Sequence, residues 1–167
     1  MRLLLLTVLL CTRAAQPTTV ASTLDHEIGS LEKNFLALAQ VMPEDRYNFT
    51  PATLNIRGSD FAGVRSFATQ IRHAAASNYA IWSGVTGDKF PKDFLGGDGP
   101  ENLKTKAEIL QFLKDSFALG HKAALSLTGD NGAHLRLVVF GMTHAMDHYG
   151  QMVEYLRMNG ITPPPGH

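Results

Sequence analysis

Four stretches of the chain repeat apolar residues at the three-to-four spacing of a helix face. In the first, Leu24, Ile28, Leu31, Phe35, Leu38 and Ala39 share one face, and His26, Glu27, Lys33 and Asn34 fall away from it. That helix ends near Val41-Met42-Pro43. The second opens after Ser59, a good N-cap, and lines up Phe61, Val64, Phe67, Ala68, Ile71, Ala75, Tyr79 and Trp82. The third follows the capping box Thr105-Lys-Ala-Glu108 and carries Ile109, Leu110, Leu113, Phe117, Gly120, Ala124 and Leu127. The fourth leaves the turn Thr128-Gly-Asp-Asn-Gly132, with Asp130 or Asn131 as N-cap. It runs to Asn159-Gly160, where the glycine stops it and Pro163 to Pro165 prevent its resumption.

Between the first two helices, Glu44 to Gly58 has no helical period and contains Pro51, so it reads as a crossover connection. Between the second and third, Ser83 to Leu103 holds Gly84, Gly87, Gly96, Gly97, Gly99, Pro91 and Pro100. A loop of that length inside a small domain is functional or mobile. Four helices with long connections predict an all-α four-helix bundle.

One apolar stripe per helix does not account for every position. The second helix carries a narrower strip of Ala62, Thr69, His73, Ala76 and Ala80 on its other side. The fourth has a main stripe, from Leu135 and Val138 through Val139, Met142, Ala145, Met146, Tyr149, Met152 and Val153 to Leu156. Its polar face is Arg136, Thr143, Asp147 and Glu154, and a third strip holds Leu137, Gly141, His144, His148, Gln151 and Tyr155. His144 and His148 are one turn apart on a common face, the spacing that lets two imidazoles share one ion. Small residues around His73 leave room for a ligand. Packing the two strips together assembles His73, His144 and His148, and three imidazoles with an open position describe a catalytic type of metal site. A closed structural site would want four ligands, commonly thiolates. His134 lies about three turns before His144, too far to join. His26 reads as a solvated surface residue and His121 as a partly exposed one.

Composition narrows the function classes. The 167 residues fit one domain. Met1-Arg2, an uncharged run from Leu3 to Leu10 and the exit Cys11-Thr-Arg-Ala14-Ala15 describe a secretory signal peptide over residues 1–15, cleaved near Ala14 or Ala15. The run is too short to span a bilayer. Residues 16–23 then read as a spacer, 24–162 as the bundle and 163–167 as a tail. Removing Arg2 and Arg13 leaves 13 basic against 15 acidic side chains, a formal net charge of −2. No basic face suits nucleic acid. The single cysteine lies in the signal, so the processed chain would have neither disulfide nor thiol nucleophile. These features predict an exported protein with no integral membrane segment after processing.

The residues resemble the DinB-like family. The matching pieces are Arg65-Ser-Phe-Ala-Thr-Gln-Ile-Arg-His73-Ala-Ala-Ala-Ser-Asn-Tyr79, Lys104-Thr-Lys-Ala-Glu-Ile-Leu, His144-Ala-Met-Asp-His148-Tyr-Gly-Gln151 and the tail Tyr155-Leu-Arg-Met-Asn-Gly160-Ile-Thr-Pro-Pro164. The resemblance implies an up-down-down-up four-helix bundle, often a homodimer, with one divalent metal ion on His73, His144 and His148. Arg72 is bulkier than the small residue expected before the histidine. Some members resemble thiol-dependent transferases, and others look like metal-dependent hydrolases or isomerases.

These strands give two readings. The first is a metal-dependent hydrolase or thiol-dependent transferase acting on a small molecule, with zinc, nickel or iron as the ion. Gln151 is available to hydrogen-bond a ligand, a water or substrate. Asp147, on the polar face, is a poor general base, and Tyr79 and Tyr155 read as packing residues more readily than as pocket hydroxyls. The want of an acid/base residue favours transfer, whereas export removes the chain from the cytoplasmic thiols and favours hydrolysis. The second reading is a non-catalytic extracytoplasmic bundle that binds a metal or ligand.

Overall fold

A computed structural model describes residues 18–90, 97–129 and 131–165. Residues 1–15, expected to be a signal peptide, the start of the expected spacer, Asp130 and the last two residues of the tail lie outside the described residues. Among those described there are four long helices and no strand. They are α1 (Val20–Val41), α2 (Phe67–Thr86), α3 (Lys106–Leu125) and α4 (Gly132–Met158).

Helix ends follow local chemistry. Thr19 and Ser22 close a reciprocal capping box on α1, so the helix begins four residues before Leu24, inside the stretch read as spacer. On α3 the box of Thr105 and Glu108 forms as predicted. Asn131 caps α4, its side chain accepting from the His134 amide at 3.1 Å. At the other end Gly160 turns left-handed (φ +70°), and Gly160 and Ile161 return their amides to Arg157 and Leu156. That pairing ends the helix and satisfies its last carbonyls.

The start of α2 corrects the sequence reading. Ser59 is no N-cap: its hydroxyl bonds the Ile56 carbonyl in a turn, and Phe61, Ala62 and Val64 precede the helix. Gly63 at φ +75° breaks the chain there, and Ser66 caps α2 by accepting from the Thr69 amide. The Phe67 and Ala68 amides bond the Phe49 and Tyr47 carbonyls, which ties the crossover to the first turn. Apolar periodicity continued past a backbone break that only the φ of a glycine reveals.

Side-chain contacts give the helix directions. The α3 start reaches the α1 end, where Lys106 Nζ donates to the Gln40 and Met42 carbonyls, so the two run antiparallel. Asn78 bonds Ser116 while Trp82 packs on Gly120, so α2 and α3 are parallel. Gln70 meets Gln151 while Trp82 packs on Gly141, so α4 opposes α2. Short linkage turns α3 into α4. The order is up-down-down-up. The core holds Ile28, Phe35, Leu38, Ile71, Trp82, Leu113, Phe117, Met152 and Leu156, all with no exposure. Each buried side chain of this size contributes roughly 1.5–3 kcal/mol. No helix among the described residues is long and apolar enough to cross a membrane.

Candidate metal centre

The α2–α4 seam is built on Trp82. Its indole lies against Gly120 of α3 and Gly141 of α4, at both of which a Cβ would collide with it. Its Nε1 donates to the Val138 carbonyl at 3.3 Å. The two glycines let three helices close on one flat ring. One turn beyond Gly141 on α4 comes His144, and one further turn on comes His148.

His73 of α2 meets them there. The ring centroids are 4.5 Å apart for His73 and His148, 4.6 Å for His144 and His148, and 5.3 Å for His73 and His144. One ligand nitrogen from each falls within 4.8 Å of the others. His148 Nε2 and His144 Nε2 are 3.3 Å apart. Two imidazole nitrogens at about 2.0–2.1 Å from one tetrahedral ion stand about 3.3 Å apart. The His144–His148 pair has that separation, and the three histidines together could hold a metal ion. His148 is buried, His73 and His144 half-buried, and Phe140 of α4 flanks His144 with ring centroids 6.2 Å apart.

Each imidazole has its own surroundings. His73 Nδ1 donates to the Gly97 carbonyl. His148 Nδ1 and Gln70 Oε1 are 2.9 Å apart. Gln70 Nε2 donates to Gln151 Oε1 at 2.7 Å, and Gln151 Nε2 donates to Asp147 Oδ2 at 3.1 Å. His144 Nδ1 is buried without a partner among the described residues. Burial lowers the pKa of all three histidines. It pushes His148 down to about 4, helped by the neighbouring His73 and His144. The Arg65 guanidinium works in the same direction on each, although it is paired with Asp98 at 2.6 Å. At neutral pH the three rings are uncharged and their lone pairs are free to bind a cation.

The structure brings together His73, His144 and His148, as the strips predicted. Gln151 stands one side chain away from the imidazoles, reaching them through Gln70. Asp147 is exposed and engaged by Gln151. Tyr79 is not at the site: it stacks on Phe112 of α3, with centroids 5.3 Å apart. Tyr155 is buried and donates to the Arg65 carbonyl at 2.9 Å, beside Gln70. The Arg72 guanidinium bonds the Pro100 carbonyl and Thr69, while its buried Nε has no partner among the described residues. Sequence reasoning missed Gln70, only 4% exposed. Its position three residues before His73, on the same face, was the available signal. The Gly97 carbonyl had no such signal, because a backbone acceptor carries no side-chain signature. His26 is exposed, and His134 stays at the α4 cap, outside the cluster. His121 is on the far side of the bundle from α2, between Asp25 and Glu32 of α1.

No curated protein and no solved structure matches the chain. A sequence model of the DinB superfamily matches residues 27–152, most of the chain and all three clustered histidines, and the chain belongs to that superfamily.

Proposed function

We propose that His73, His144 and His148 hold one divalent ion and that the centre serves metal-dependent hydrolysis of a small molecule. The observation that carries the reading is the convergence of three uncharged imidazoles at ligand spacing in the α2–α4 seam. When bound, the ion supplies Lewis acidity, which polarises a carbonyl and makes a water or a thiol more nucleophilic. The chain's own part is to hold the ligands. His73 is fixed by the loop carbonyl of Gly97 and His148 by Gln70. The half-buried His73 and His144 leave an approach to the trio from solvent. Zinc, nickel and iron all suit the donor set.

Thiol transfer is the companion reading. Its support is that, among the described residues, the cluster contains only histidines and no carboxylate, so a cosubstrate bringing its own nucleophile would suit it. An exported chain would seldom meet cytoplasmic thiols, which is why hydrolysis stands first. Export itself rests on the signal-like residues 1–15. A non-catalytic metal-binding role is the reading to beat. Exposed Leu135, Val139, Phe140 and Met146 on α4 support a homodimer, which light scattering on a Phe140→Glu variant would test.

Elemental analysis of protein from its native compartment should give about one divalent ion per chain. A panel of esters, amides and thiol adducts should then show turnover that is lost on chelation and restored by the metal. Metal content without metal-dependent turnover would leave the binding role in place of the enzymatic one. Equal metal content in wild type and the His144→Ala/His148→Ala variant would sink the site.

A further inference from the structure

We propose that Asp147, Gln151 and Gln70 form a one-way hydrogen-bond relay that sets the tautomer of His148. The relay leads from the surface of α4 to a buried imidazole. Asp147 and Gln151 are exposed, Gln70 is 4% exposed and His148 is 6% exposed.

The direction follows from what each group can do. An ionised carboxylate only accepts hydrogen bonds. Gln151 must therefore turn its amide nitrogen to Asp147 Oδ2, 3.1 Å away. This leaves Gln151 Oε1 facing inward, where it accepts from Gln70 Nε2 at 2.7 Å. Gln70 then has only its carbonyl oxygen for His148, 2.9 Å from Nδ1. A carbonyl cannot donate, so Nδ1 carries the ring proton and Nε2 keeps the lone pair. That Nε2 is the nitrogen facing His144. A glutamine amide is ambiguous by itself, since either end can face either way. Two glutamines in series transmit the polarity of the carboxylate without ambiguity.

Gln70 is thus a positioning residue acting through His148, and Gln151 and Asp147 act through Gln70.

The relay deepens the proposed metal centre, and its consequence for metal binding rests on that reading. Its first test does not. Ring nitrogen shifts and long-range nitrogen–proton couplings of His148, recorded on metal-free full-length protein at neutral pH, report the tautomer directly. Wild type should show Nδ1–H alone. Gln70→Leu and Gln151→Leu should give a mixture, whereas Gln70→Glu should retain Nδ1–H, because a carboxylate still accepts from that nitrogen. The Glu variant gives up the donor contact of Gln70 to Gln151, so a merely structural role would make it fail along with Leu. A mixture or Nε2–H in wild type overturns the relay, as does an unchanged tautomer in Gln151→Leu. Competition titration with zinc then reads the consequence, a loss of about 10–100-fold for Gln70→Leu and little for Gln70→Glu. If the tautomers behave as stated and neither wild type nor variant binds zinc, the relay stands and the metal centre falls.

Discussion

Two histidine sites occupy opposite seams of the bundle and resolve the same side chain in opposite ways. In the α2–α4 seam, His73, His144 and His148 face one another with no carboxylate in contact among the described residues, and each has a lowered pKa. In the α1–α3 seam, His121 is clamped at both ring nitrogens, by Asp25 at 2.7 Å and Glu32 at 3.2 Å. Burial alone would lower His121, but the two carboxylate partners outweigh it and leave it raised. The first surroundings favour the neutral imidazole with its free lone pair, the second favour the protonated form. Ligand character lies in the neighbours and not in the residue type.

The largest expected effect breaks the comparison at its root. Replacing His144 and His148 together by Ala should take metal content from about one ion per chain to nearly none after dialysis, read by elemental analysis. His121→Ala should leave it unchanged. Metal lost equally from both variants would mean that unfolding, and not ligation, removed it, and circular dichroism on each variant separates the two.

Next in size is the closeness of the seams. A Cβ at Gly141 would run into the Trp82 indole, which Gly120 pins from the other side. Gly141→Ala should destabilise by about 1–3 kcal/mol, since a packed ring has nowhere to move. At the other site a Cβ on Gly29 would meet His121 Cε1 at 3.5 Å, an ordinary contact. Gly29→Ala should be neutral or stabilise by up to about 1 kcal/mol, from helix propensity. Denaturant melts of the two variants check the order. If Gly141→Ala is as benign as Gly29→Ala, Trp82 does not set the spacing that brings α2 and α4 together.

The pair of strips carrying the histidines could be read from the chain, because His144 and His148 stand one turn apart and His73 sits among small residues. The directions of the helices came from resemblance, not periodicity, since four amphipathic stripes can be threaded in several ways. Three things escaped for different reasons. Ser59 and Ser66 are equal as capping residues, and only the left-handed Gly63 between them decides. Leu135, Val139 and Met146 continue the α4 stripe yet are exposed, because periodicity marks a face without saying what covers it. Gln70 is a polar residue on a buried face, which a hydrophobic pattern scores as a gap. His121 was legible as half-exposed, but its two partners lie some ninety residues away in α1.

The pH profiles should run in opposite senses. In metal-free protein the unfolded chain binds a proton at His148 more readily than the folded chain does. Between about 4 and 6.5 stability should therefore rise with pH, and fall on acidification. The displacement corresponds to at most about 3 kcal/mol for that residue. His121 behaves inversely. Its contribution is complete below 6.5 and is lost as pH rises through its raised value. Melts of wild type against His148→Gln should diverge with rising pH across the acid window, and those against His121→Gln should converge above 6.5. Parallel profiles would show that the two seams do not differ in the way their neighbours imply.

The smallest effect is the sharpest test of cause. Asp25→Asn keeps the shape of the partner at His121 Nδ1 and removes its charge. The pKa of His121, followed by its ring proton shifts, should fall towards 6.5, with Glu32 still holding part of the rise. Stability at neutral pH should change by less than about 1 kcal/mol, as expected for a partly exposed ion pair. The shifts of His73, His144 and His148 should not move, because Asp25 faces none of them. A pKa that stays raised in the Asn variant would assign the effect to Glu32 alone. His121 would then be an ordinary single ion pair, and the contrast between a clamped cation and a cluster of free lone pairs would reduce to the presence of one carboxylate.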